Sequence, residues 1–182
     1  DFLSIRKYTN EFNYSFVEKE SQLINGAAVL SYAHKLNLSI IANQINDNGF
    51  YYKTMALRNA YDVLLLSKKT NTKDAVNALD KLANPLNCFL AGCYEVFNKV
   101  GSLEYNITKN TTSYLSIFNN QFTNRKTTKR RHKLIKRYLF IKSRVNTIYK
   151  CIIYKEYRIW MFKRLTDKNW YKEKGIQLGI KK

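Results

Sequence analysis

The stretch from Leu30 to Lys69 restricts the fold more than any other, because it holds two apolar helical periods divided by one strong breaker. Leu36, Ile40, Ile41 and Ile45 fall on one helical stripe, and Leu57, Tyr61, Leu64 and Leu65 fall on another. Between them stands Asp47-Asn48-Gly49, where Asn and Gly tolerate the left-handed backbone that ends a helix. The spacing predicts two helices, joined by a short connection and packed as a hairpin, each burying its stripe.

The flanking sequence is read by the same rules. From Asp1 to Val29 no helical period is sustained. Phe12, Tyr14 and Phe16 alternate with polar neighbours, and Asn25-Gly26 is a turn signal, so two short strands or an extended segment are expected. Ser31 is the expected N-cap of the first helix. A polar loop over Lys68–Asn71 leads to Thr72 as a second cap, with Asp74 in the first turn of a helix carrying Ala75, Val76, Leu79 and Leu82. Asn84-Pro85 predicts a fresh helix start, since Pro suits the first helical position. That helix would run from Leu86 to about Val100, bury Phe89, Leu90, Cys93, Val96 and Phe97, and stop near Gly101. A polar stretch from Gly101 to Thr112 precedes a short helix over Ser113–Phe122. Asn106 and Asn110 match the glycosylation sequon, a match expected to be chance because the sequence does not open on a charged and then apolar leader pattern.

From Thr128 the pattern changes. Leu134, Tyr138, Ile141, Val145, Ile148 and Ile152 form a seam with alternating steps of four and three, while cations fill the other faces. One long basic helix is expected, packed on the body rather than free as a coiled coil, followed by one or two short helices and a frayed end. The charge follows this division. Residues 1–124 carry 12 Lys and Arg against 10 Asp and Glu, whereas residues 125–182 carry 20 against 3. The expected organisation is an extended segment over 1–29, a helical body over 30–124 and a basic amphipathic region over 125–182.

Composition supports a globular, mainly α chain: 45% of its 182 residues are hydrophobic, enough for one ordinary domain. No apolar run approaches the roughly 20 residues that span a bilayer. Three cysteines without a CxxC pair argue against a disulfide framework or a zinc site and fit a cytoplasmic protein, each being a small buried hydrophobe. A first residue of Asp rather than Met reads as a fragment or a processed product. Abundant Asn, Lys, Ile and Tyr with a single Pro resemble the output of an AT-rich genome, so part of the Lys excess is compositional habit.

The chain contains no GxGxxG, GxxxxGK[ST], HExxH or GxSxG motif. Of its two histidines, His34 reads as structural or surface and His132 as a solvated member of the basic run. Arg58 and Asp62 have two readings: a surface i, i+4 pair, or a cleft-facing Arg that meets phosphate beside Lys53 while Asp62 orients it. The basic region likewise is either a solvated face or, at Lys129, Arg130, Arg131 and Lys133, an anion-binding patch for nucleic acid or an anionic membrane surface.

The run LSYAHKLNLSII followed by ALRNAYDVLLLSKK resembles the helical C-terminal part of a family of uncharacterised bacterial nucleotidyltransferases, in its Bacteroidetes-like version. In that family a histidine-bearing helix precedes one carrying Leu-Arg, three residues and Asp, here His34, Leu57, Arg58 and Asp62. The resemblance covers about 40 residues. It implies the C-terminal half of an α/β plus α enzyme whose paired carboxylates hold magnesium and a nucleoside triphosphate, and which moves a nucleotidyl group to an unknown acceptor. No Asp-x-Asp pair occurs in the chain, so most catalytic carboxylates and the metal would lie outside it, with Asp1 the candidate for the third. On that reading this chain alone is inactive, and Leu30–Lys69 packs against the catalytic part. The alternative is a noncatalytic basic helical module.

Overall fold

A computed structural model describes residues 11–177, the last five by backbone alone. The protein is mainly helical, with ten α-helices among the described residues and one short antiparallel hairpin near the N-terminus. It divides into two compact units, residues 1–130 and 131–182.

The first unit begins with a short helix, α1 (Tyr14–Glu18), where alternation predicts extended chain. Asn13 explains the difference, because its side chain accepts from the Phe16 amide at 2.9 Å and starts a turn. Phe12 and Phe16 then lie on one side of that turn, with ring centroids 6.1 Å apart. Strands β1 (Gln22–Ile24) and β2 (Ala27–Val29) pair as expected, with Ile24 opposite Ala27. The turn needs positive φ at both central residues, and Asn25 and Gly26 supply it at 51° and 78°.

Ser31 caps α2 (Tyr32–Ile41) by accepting from the His34 amide at 3.2 Å. The predicted stripe holds: Leu36, Ile40 and Ile41 are buried and Ile45 is half-buried. The helix ends in a π-helical turn, Ala42–Asn46, and Asn48 is left-handed at φ 58°. The connection is longer than expected, because it includes α3 (Gly49–Tyr52) and an extended run before α4 (Leu57–Ser67). Gly49 is required there: a Cβ would sit 2.8 Å from the Asn43 carbonyl oxygen and 2.9 Å from that of Thr54.

Helices α2 and α4 pack together as a pair, joined where the Asn59 side chain donates to the Ser39 carbonyl at 2.8 Å. The face of α4 that packs corrects the sequence reading. Ala60, Val63 and Ser67 are buried, while Leu57 is 71% exposed, Tyr61 55% and Leu65 45%. Ala60, Val63 and Ser67 form a stripe of smaller side chains, which suits close helix packing, and it is this stripe rather than the larger apolar one that faces inward.

Asn71 rather than Thr72 caps α5 (Thr72–Asn77), accepting from the Asp74 amide at 3.1 Å. The buried Thr72 hydroxyl instead donates to the Glu104 carbonyl at 2.7 Å. Pro85 does not begin a helix. It lies inside α6 (Asp80–Val96), whose start at Asp80 is stabilised by Glu11, the carboxylate accepting from the amides of Lys81 at 2.9 Å and Leu82 at 3.2 Å. Every residue from Pro85 to Cys93 is buried. The helix ends before Gly101: Asn98 and Lys99 turn left-handed, and Val96 is 41% exposed. Thr108 and Thr111 form a capping box that starts α7 (Lys109–Thr123) earlier than Ser113.

The long basic helix, α8, runs Arg125–Ile153, and the chain continues through α9 (Lys155–Thr166) and α10 (Lys168–Gln177). Around the α8–α9 junction Cys151 is buried, its thiol 3.4 Å from the Met161 sulfur and 3.7 Å from the Tyr157 carbonyl oxygen. Among the described residues, no helix is long and apolar enough to cross a membrane.

Gly49→Ala is expected to lower unfolding free energy by about 2 kcal/mol in urea denaturation, because the methyl meets backbone oxygen that cannot yield cheaply.

Candidate functional site

The candidate residues His34, Lys53, Arg58 and Asp62 fall on the α2–α4 pair and its connection. His34 is a core residue, 1% exposed, enclosed by the Phe16 ring at 4.9 Å and the Phe12 ring edge-on at 5.9 Å. Its Nε2 lies 3.3 Å from a Glu20 carboxylate oxygen, at an angle that makes no hydrogen bond. These contacts assign His34 to packing.

Lys53 ends α3 in the left-handed conformation at φ 56°. Its carbonyl accepts from the Gln121 side chain at 2.8 Å, tying the connection to α7. Its ammonium lies over the Phe50 ring at 3.9 Å and within 5.2 Å of the Tyr114 ring centroid, so the charge is held against aromatic faces. Arg58 sits in the first turn of α4 on its exposed face, flanked by Leu57, Tyr61 and Leu65, and Asp62 is half-buried at the border of that face. The two are four residues apart, yet among the described residues they form no ion pair with each other. The structure therefore separates the proposed contacts: Lys53 is committed to rings beside α7, while Arg58 is displayed on the outer face of α4. Asp1 lies outside the described residues.

The second predicted site lies on α8, where Lys129, Arg130 and Lys133 are exposed and Arg131 is half-buried. His132 is half-buried rather than solvated. The six seam residues, Leu134, Tyr138, Ile141, Val145, Ile148 and Ile152, are each more than half exposed. Half-buried Ile135 and Leu139 lie on a neighbouring stripe of the helix.

Sequence reasoning missed the apolar outer face of α4, and also the buried amides that organise the unit. Gln44 donates to Asn43 at 2.8 Å and to the Thr54 carbonyl at 3.2 Å, and Asn37 donates to the Ala75 carbonyl at 2.8 Å. Asn87 bonds both the amide and the carbonyl of Asn106. The Asn residues with these roles are not distinguishable from the many others in an Asn-rich chain. Among the described residues, no three of His, Cys, Asp and Glu cluster as metal ligands do. Comparison with protein-family models, curated proteins and solved structures finds no match.

All three cysteines are free and buried. Burial pushes the Cys88 thiol up to about 11, against a smaller opposing pull from Lys53, and raises that of Cys93 further. Few thiolates of Cys88 and Cys93 then exist near neutral pH. A disulfide reagent such as DTNB is expected to leave both unmodified at pH 7.5 in the folded chain, and to titrate three thiols once the chain is unfolded. Because Arg58 and Asp62 are not paired, Arg58→Ala is also expected to change unfolding free energy by less than about 0.5 kcal/mol.

Proposed function

We propose that this chain is the helical, noncatalytic part of a nucleotidyltransferase-like protein, with Arg58 contributing an anion contact to a catalytic site completed by residues outside the chain. The observation that carries the reading is the outer face of α4. Arg58 is exposed there and not ion-paired with Asp62, between Leu57, Tyr61 and Leu65. An exposed guanidinium bordered by apolar side chains is suited to an anion, because its planar fork matches phosphate oxygens and a partner that covers the face would desolvate and strengthen those charge-assisted hydrogen bonds. The same three apolar side chains supply contact area for a neighbouring domain. The resemblance places the Leu-Arg and Asp of its motif on this helix, at Leu57, Arg58 and Asp62.

Chemistry on this reading is divided. Carboxylates outside the chain would hold magnesium and the triphosphate, the metal offsetting charge that develops on the phosphoryl oxygens. The present chain would position the triphosphate or the acceptor through Arg58, with Asp62 limiting where the guanidinium swings. Lys53 becomes a structural residue, given its ring contacts.

The test uses the complete protein with magnesium and each nucleoside triphosphate. Arg58→Ala is expected to lower transfer by about 100-fold or more while the unfolding curve stays unchanged, a loss of the size found when a charge-stabilising donor is removed. Unchanged transfer in that variant, or no transfer and no nucleotide binding by the complete protein, would overturn the reading.

A further inference from the structure

The seam of α8 is the least explained surface of the molecule. Six large side chains, five of them Leu, Ile or Val, line one side of a 29-residue helix and stay more than half exposed. Among the described residues of their own unit, none buries them. A stripe of this length open to water is a binding surface unless something occupies it.

The residues that border the seam choose the occupant. At helical spacing, Arg137 and Arg144 run along one edge and Lys142 lies along the other. In a parallel pairing of two copies through the seam, Arg137 of one would face Lys142 of the other, so like charges oppose self-association. A nucleic acid would neutralise the cations but would leave Leu134, Ile141, Val145, Ile148 and Ile152 without a role, since aliphatic side chains cannot stack on bases as aromatic ones do. An anionic lipid surface uses both features. Acyl chains accept the seam, headgroup phosphates meet the bordering cations, and long Lys and Arg stems reach outward along the apolar band.

Further residues have the composition of a membrane interface. Tyr138 lies on the seam beneath Lys142, whose ammonium is 5.7 Å from its ring centroid. The Arg144 guanidinium is 4.9 Å from the Phe140 ring, and in α9 that of Arg164 is 4.8 Å from Trp160. Aromatic rings with a cation above them suit the headgroup level, where one side is apolar and the other wet.

We propose that α8 lies in the plane of an anionic membrane surface, its Leu134–Ile152 seam inserted at the acyl boundary and Arg137, Lys142 and Arg144 contacting lipid phosphates. The inference does not rest on the nucleotidyltransferase reading, which concerns α4.

The experiment measures cosedimentation of the full chain with vesicles of phosphatidylcholine alone and of phosphatidylcholine mixed with phosphatidylglycerol, and repeats the titration with single-stranded RNA and duplex DNA. Binding is expected to the mixed vesicles and not to phosphatidylcholine alone, with a blue shift in tryptophan fluorescence. The double variant Ile141→Asn, Ile148→Asn is expected to bind mixed vesicles at least about tenfold more weakly, whereas Ile141→Leu, Ile148→Leu retains binding. A second variant, Arg137→Glu with Arg144→Glu, leaves the seam intact and is also expected to lose the mixed vesicles, which covers the case in which the Asn variant fails to fold. Equal binding by a folded Asn variant, binding to RNA or DNA in preference to mixed vesicles, or retention of mixed-vesicle binding by the Glu variant would each overturn the proposal.

Discussion

Nine consecutive residues of α6, Pro85 to Cys93, are withdrawn from water, and the first unit is arranged to make that possible. A helix buried on every side must be surrounded, and α6 packs with α2, α4, α5 and α7. Leu86, Phe89 and Leu90 each contribute about 1.5–3 kcal/mol by leaving water. The same burial accounts for Pro85. Its missing amide removes one bond of the helix, a cost that apolar packing around the ring offsets, and Glu11 allows the helix to begin five residues earlier.

Enclosing one helix with several short ones creates many chain reversals, and the buried amides hold these in place. Asn37 fixes α5 against α2, Asn87 fixes the approach to α7, and Gln44 with Asn43 holds the connection at Thr54. Each bond contributes only about 1 kcal/mol net, but a buried amide left unmade costs more than that. The network therefore specifies one arrangement of the loops. The close approach at Gly49 belongs to the same cluster, because the Asn43 oxygens that exclude a Cβ there include the one that accepts from Gln44.

The sequence is legible where one local rule acts without competition. The Asn25-Gly26 hairpin, the Ser31 cap, the Leu36–Ile41 stripe and the long basic helix depend on turn chemistry or on an unbroken period, and the structure has all of them. It misleads where tertiary contacts decide between two acceptable local choices. Helix α4 has a large apolar stripe and a small one, and only the partner helix determines that Ala60 and Val63 face inward. Pro85 is a sound start signal until a distant carboxylate caps the helix upstream. At the candidate site the sequence gives residue identities and spacing, but not that Lys53 folds onto Phe50 while Arg58 stays outward.

These outcomes share a physical cause. In the first unit the nearly balanced charge of residues 1–124 allows dense packing, and the apolar side chains that do not fit inside collect on the outer face of α4. In residues 125–182, 20 cations against 3 carboxylates repel one another, so condensing the region around its own seam would concentrate like charge. An extended helix keeps those charges apart at the expense of exposing Ile141, Val145 and Ile148. A ligand that neutralises the cations removes the repulsion, and one that also accepts the seam removes the cost of exposure. The two terms act on the same helix, so an anionic apolar surface gains from both where a purely anionic one gains from the first alone.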